Sequence, residues 1–332
     1  MPVSRVASGH AFLRLFSVLE LVLVLRNYVS TTVSSRAESL LPAVGVAIFF
    51  LAFGGQGVRD LFGWVGFGVI TGIVLIFAWV IFFLAGRAVT LRRLSLSVSS
   101  YILVCCLSVI WSQYRLETFG SALITLATSS AGVLVAIAFP LRQMLDVFAQ
   151  AMKIIIAASY ALELWVSLVV GHRIPPMYMR NWKEVPELYY WVNGALLKGG
   201  PIQGFVGNRN PLAFIALLLM LCVLVFWIED KKHHVSNGAW LLACVGILVL
   251  TGSATVFVAM LVSVSALAFL LIVRRLGFYE RRFAVRVALT AAASFLLVAL
   301  IMKDQVTILL GRSSDMTGRG VIWQKLLELW QQ

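Results

Sequence analysis

From Pro211 to Ile228 the chain reads Pro-Leu-Ala-Phe-Ile-Ala-Leu-Leu-Leu-Met-Leu-Cys-Val-Leu-Val-Phe-Trp-Ile, without a single charge. As an α-helix, a stretch of this length approaches the roughly 30 Å hydrocarbon core of a bilayer. Only helices and closed barrels satisfy their own backbone hydrogen bonds there. Comparable stretches lie near 39–56, 61–85, 94–111, 119–139, 146–170, 238–254, 255–273 and 284–302. The first and the one at 238–254 are short and use small polar residues at their ends. Composition agrees, with 61% hydrophobic and 12% charged residues, against roughly 45–50% and 25% in soluble domains. The expected fold is all-α: a polytopic transmembrane helical bundle of about nine spans, within a range of eight to ten. The bundle occupies 39–302, and 303–332 reads as the start of an external loop domain. Residues 11–25 are apolar but interrupted by Arg14 and Glu20. The segment 1–38 therefore reads as an interfacial helix, with an extra span as the alternative. Arg14, Glu20 and the lack of a small-residue cleavage site argue against a cleaved leader. Cys105, Cys106, Cys222 and Cys244 all sit in apolar stretches without CxxC spacing, so neither a disulfide framework nor a metal site is expected.

Lys and Arg in short loops set orientation. Arg87, Arg92 and Arg93, Arg142 with nearby Lys153, Lys231 with Lys232, and the run Arg274 to Arg286 fall on one side, which is read as cytoplasmic. The segment 171–210 and the tail after 302 are then outside. Eleven basic residues lie on that face, against twelve in the cytoplasmic loops. Long external loops tolerate such charge, so the tally alone does not separate a ligand from a bystander. The Arg274 to Arg286 run reads as a topogenic loop that also meets anionic lipids.

Within the external segment, Gly204-Phe-Val-Gly-Asn-Arg-Asn-Pro-Leu-Ala leads into the 211–228 stretch. Asn210 followed by Pro211 fits a helix start, with Asn as cap and Pro at the first helical position. The positive end of that helix would face outward beside Arg209, a place suited to an anion. The structural alternative is an interfacial arginine. A second arginine-bearing run, Gly311-Arg-Ser-Ser-Asp-Met-Thr-Gly-Arg319, precedes Ile322, Leu326 and Leu329, and Trp323, Leu327 and Trp330, both at helical spacing. Arg319 falls at the start of that helix, where a cation is disfavoured by the dipole unless an anion joins it. Guanidinium matches phosphate through its planar fork.

In this order the elements resemble the membrane family of O-antigen ligases and exopolysaccharide polymerases, in particular its exopolysaccharide-production branch. Trp111-Ser112 with Thr118 is similar to the family's Trp-Ser element. Gly204-Phe-Val-Gly-Asn-Arg-Asn-Pro-Leu is similar to Gly-x-x-Gly-His-Lys-Asn-x-Leu, and Leu250-Thr-Gly-Ser-Ala-Thr to Ser-Arg-Ser-Ala-Thr. Gly311-Arg312, Thr317-Gly318-Arg319 and Trp323 complete the series, over about residues 40–332. The resemblance implies glycosyl transfer at the outer face of the cytoplasmic membrane. The donor would be a glycan on a polyprenyl diphosphate, and the acceptor a sugar hydroxyl on another glycan or a lipid or wall anchor. No metal or other cofactor is implied. Arg209, Arg312 and Arg319 would hold the diphosphate, with Asn208, Asn210 and Ser253 in support. Fixed cations in a water-poor site would stabilise the departing group.

Two departures stand out. Gly252 occupies the place of the family's arginine before Ser-Ala-Thr. The family's Pro-x-x-Gly-x-Gly stretch and His-Asn element, which carries its usual base, do not occur, so the chain is expected to be a C-terminally truncated member. The substitute bases are His172, at the outer end of the fifth stretch, and Glu163, inside that stretch's outer half. An ionisable group within a membrane is a functional candidate by default. The plainer readings are a loop-anchoring histidine, and a glutamate paired with Arg173 or with a hydroxyl. His233 and His234 lie on the cytoplasmic side, and His10 in the N-terminal segment. Trp182, Tyr189, Tyr190 and Trp191 suit either sugar stacking or interfacial anchoring, and the glycines of 63–72 suit close helix packing. Whether the chain is an enzyme stays open. The alternative is a non-catalytic protein that binds lipid diphosphate. A secondary transporter is disfavoured, since no inverted repeat is visible, and nothing resembles a nucleotide loop or a nucleic-acid surface.

Overall fold

The computed structural model describes residues 7–89, 95–186, 189–229, 234–301 and 319–330. Its helices are α1 (Ala7–Leu84), α2 (Leu96–Leu107), α3 (Arg115–Ala138), α4 (Leu141–Trp165), α5 (Arg209–Glu229), α6 (His234–Thr251), α7 (Ala254–Val273), α8 (Phe278–Ile301) and α9 (Arg319–Trp330). Among the described residues there is no β-strand, only an isolated antiparallel bridge between Ile174 and Val192. Among the described residues, six helices are long and apolar enough to cross a membrane: Thr32–Leu84 within α1, then α3, α4 with its extension to Val170, α5, α6 and α7. Their outward faces are apolar too, with Leu242 and Val249 each 74% exposed. A bundle that turns leucine and valine outward in this way is built for a lipid solvent rather than for water.

Residues 1–250 and 251–332 form two compact units. In the first, α1 folds back on itself at Gly63, whose φ of 72° breaks the helix. Glycine alone takes that left-handed turn without a Cβ penalty. The two arms share one core, in which Leu41, Val44 and Ile48 meet Ala78, Ile81 and Phe82, closed by Leu134 and Val135 of α3. The arms match the first two apolar stretches, while the backbone shows no break at residue 38, where the N-terminal segment was expected to end. The glycines after the turn do not all pack as expected. Gly68 and Gly72 face open space, while Gly66 lies against Phe62 across the bend, and further tight approaches are at Gly45, Gly55 and Gly57 in the first arm.

Helix α2 covers 12 residues of the stretch 94–111, about 18 Å at 1.5 Å per residue and short of a full crossing. It joins α3 through the Trp-Ser element, where Ser112 Oγ and Thr118 Oγ1 are 2.6 Å apart and Ser112 Oγ accepts the Tyr114 amide at 3.1 Å. Helix α4 packs against α1 and α5. At its first turn Arg142 pairs with Glu229 and lies over the Phe226 ring. Lys153, counted above with the cytoplasmic loops, lies roughly 18 Å along α4 by the same rise, with its ammonium 5.6 Å from the Trp240 ring of α6. It belongs to the helix interior, so the charge tally no longer favours either face. Tyr160 donates to the Ala243 carbonyl of α6 at 2.8 Å, and Gly246 leaves room for its hydroxyl. Helix α4 then loosens into one π-turn, Val166–Val170, and ends at Gly171 with φ 74°.

In the second unit α7 packs against α8. Ser253 caps α7 through its backbone, accepting the Phe257 amide at 2.9 Å, after Gly252 in the left-handed region. At the start of α8, Glu280 accepts the Gly277 amide at 3.2 Å, and Arg282 lies over the Phe278 ring.

Candidate anion site

The Gly204 to Arg209 loop is built in from three sides. From α4, Glu163 is fully buried, and its Oε1 accepts the amides of Gln203 and Gly204, both at 2.9 Å. One turn earlier, Ser159 Oγ donates to Ile155 O at 2.7 Å and accepts the Phe205 amide at 3.1 Å. From the preceding segment, Trp191 donates its indole N–H to Phe205 O at 2.9 Å. Gln203, with its amide nitrogen turned toward them, donates to the carbonyls of Trp191 and Tyr190. The Ile174 and Val192 bridge folds that segment onto α4, where Val166, Trp191 and Val192 form a small core.

The third side is α1. Gly57 meets the Phe205 backbone with no room for a side chain. The Asp60 carboxylate, only 4% exposed, faces Gly207, and Arg59 lies 3.6 Å from it while stacking on Trp64 at 4.6 Å. Gly204 and Gly207 both take positive φ, 59° and 68°, and close a turn in which the Gly207 amide donates to Gly204 O at 3.1 Å. A Cβ on Gly204 would lie 2.7 Å from Ser159 and Leu212, so this motif glycine is fixed both by conformation and by space.

Helix α5 starts two residues earlier than its sequence indicated. Arg209 is its first residue. Asn208 is the cap: its Oδ1 accepts the Asn210 amide at 3.0 Å and its carbonyl accepts the Leu212 amide at 3.2 Å. Pro211 then stands third in the helix, still among the four residues whose amides have no intrahelical acceptor. The misreading arose because Asn208 and Asn210 are equally good caps, and only the fold of the preceding turn chooses between them. Replacing Asn208 with alanine is expected to cost about 1 kcal/mol. Asn208→Asp should keep the bond, and thermal unfolding in detergent would measure both.

Arg209 is exposed and makes no hydrogen bond or ion pair among the described residues. It therefore stands on the first turn of α5, at the positive end of the helix, with its side chain open to an incoming anion. Asn210 is half-buried next to it. His172 is exposed, its Nδ1 against Val170 O at 2.9 Å. Arg173 lies 5.8 Å from the Tyr190 ring and is not the partner of Glu163, which binds backbone amides instead. Trp191 is a buried anchor of the loop, while Trp182 and Tyr189 are more than half exposed. Arg312 lies outside the described residues. Arg319 opens α9 as its spacing predicted, but its side chain is not among those described. No metal-binding cluster of His, Cys, Asp and Glu occurs among the described residues.

No protein-family model, curated protein or solved structure matches this chain. The site is thus characterised by its own chemistry: a braced loop, a capped helix start and an exposed arginine without a partner among the described residues. Sequence reasoning missed Ser159, Asp60, Gly57 and the anchoring use of Trp191. Gly57 and Ser159 are small enough to admit a close backbone approach, but nothing local in the sequence indicated what approaches them.

Proposed function

We propose that this is a multi-pass membrane protein that binds the diphosphate of a polyprenyl-linked glycan and transfers the glycan to a sugar hydroxyl. This is the activity of the O-antigen ligase and polysaccharide polymerase family that its motifs resemble. The observation that carries the reading is Arg209, an exposed guanidinium without a partner among the described residues, on the first turn of α5 and carried by a loop braced against α1 and α4. Its fork suits two phosphate oxygens, and the helix start adds partial positive charge. As the diphosphate departs, charge builds on it, and a fixed cation stabilises that state without reorganising. Arg312 and Ser253 join the proposal through the resemblance, and Arg319 through the resemblance and its place at a helix start. Nine spans, with 171–210 and the residues after 302 outside, join it from apolar length and loop charge, and the cytoplasmic membrane from the resemblance.

A second reading is binding without transfer. It is favoured by Glu163, which is sealed from solvent and already committed to two loop amides, and so is poorly placed to meet an incoming hydroxyl. Purified protein in nanodiscs, supplied with a lipid-linked glycan and a glycan acceptor, separates the two. Elongated or transferred product supports the enzyme, and saturable binding of the lipid diphosphate without product supports the second reading. Absence of both sinks the proposal.

A further inference from the structure

We propose that Glu163 is a positioning residue of the anion site, acting through the backbone that carries Arg209; this rests on the lipid-diphosphate reading above. Its carboxylate has no exposure to solvent. Oε1 binds two successive amides, Gln203 and Gly204, and so fixes a peptide plane as well as a point. From that plane to Arg209 every step is constrained. Phe205 is bonded at both its amide and its carbonyl, by Ser159 and Trp191. Gly207 is tied back to Gly204, and Asn208 caps the helix that Arg209 opens. A displacement at Glu163 is therefore passed along a five-residue connection to the backbone that carries Arg209, and so moves the point from which its guanidinium reaches. The second carboxylate oxygen is buried with no hydrogen-bond partner. The loop thus uses one acceptor oxygen at a fixed distance from α4, and it is the reach of the side chain that matters.

This assigns a different rank order from a catalytic one. Glutamine has the same length and keeps the acceptor oxygen; aspartate keeps the charge but is one methylene shorter. A positioning residue tolerates Glu163→Gln and suffers from Glu163→Asp. A general base tolerates neither and loses turnover on Glu163→Gln. Full-length wild type, E163Q, E163D and R209A in nanodiscs would be titrated with a short-chain polyprenyl diphosphate, with inorganic diphosphate as competitor. Transfer from lipid-linked glycan and amide hydrogen exchange would be followed on the same samples. E163Q is expected to bind within about threefold of wild type, and E163D to bind about tenfold more weakly, since ångström-scale misplacement is costly at such sites. In E163D the amides of 203 and 204 should exchange faster while those inside α4 and α5 stay protected. That pattern also separates a shifted loop from a protein that has failed to fold. If R209A binds like wild type, the lipid-diphosphate reading fails and this proposal falls with it. If R209A is weak but E163D binds normally, the positioning role alone is overturned. Normal binding by E163Q with loss of transfer would overturn it in favour of a catalytic base.

Discussion

Replacing Arg209 with alanine is expected to weaken capture of a polyprenyl diphosphate by roughly ten- to a hundredfold while leaving the fold intact. Hydrogen bonds to a charged group contribute about 1.5–3 kcal/mol, and each 1.4 kcal/mol is tenfold in affinity. Arg209 sits where that contribution is available. It is exposed, has no protein partner among the described residues, and stands at the positive end of α5. Because it is exposed and makes no hydrogen bond or ion pair among the described residues, its loss should change stability by no more than about 0.5 kcal/mol. Arg209→Lys keeps the charge but not the two-pronged geometry, so it should fall between alanine and wild type. Direct titration in nanodiscs with a short-chain polyprenyl diphosphate, with thermal unfolding in parallel, tests both halves. Unchanged affinity for the alanine variant removes the central residue of the functional proposal. Affinity lost together with the unfolding transition would make Arg209 a structural residue instead.

A methyl group added at Gly57 should damage the molecule more than any other single-carbon change in the first unit. The new Cβ would press on the Phe205 carbonyl oxygen and lie 2.6 Å from its ring. The ring can turn away, but the carbonyl cannot, because Phe205 is held at its amide by Ser159 and at that same oxygen by the Trp191 indole. Either α1 or the loop has to move. Overpacking of this kind costs about 1–3 kcal/mol and occasionally more, and the rigid neighbour places Gly57→Ala near the upper end. The apparent unfolding temperature in detergent should fall by roughly 5–10 °C. A thiol-reactive dye that detects exposure of the buried Cys222 and Cys244 would follow it. Gly68→Ala is the control: nothing lies within 4 Å of its Cβ, and alanine is the better helix former. If the two variants unfold alike, the close approach of α1 to the loop is wrong.

The sequence was most informative where a property repeats along one helix. Uncharged stretches such as 211–228 became helices because twenty or so apolar side chains act additively and locally, and the spacing after Gly318 gave α9 for the same reason. Punctuation was less secure. Asn208 and Asn210 offer the same capping chemistry, and the choice depended on a turn formed by Gly204 and Gly207. Lys153 was misplaced because charge tallies follow order along the chain, whereas a long stem inside a helix can settle on a tryptophan from another helix.

By itself, then, the sequence determined an all-helical chain suited to a bilayer, and it singled out Glu163 and Arg209 as residues needing an explanation. Apolar length and the expense of a charge in lipid are properties of a residue and its near neighbours. Only the tertiary structure decided what those residues do. Glu163 meets amides 40 and 41 positions away, and Gly57 meets a carbonyl that no local pattern connects to it. Such pairings follow from which helices pack together, because a buried acceptor must find whichever donor the fold brings within about 3 Å of it.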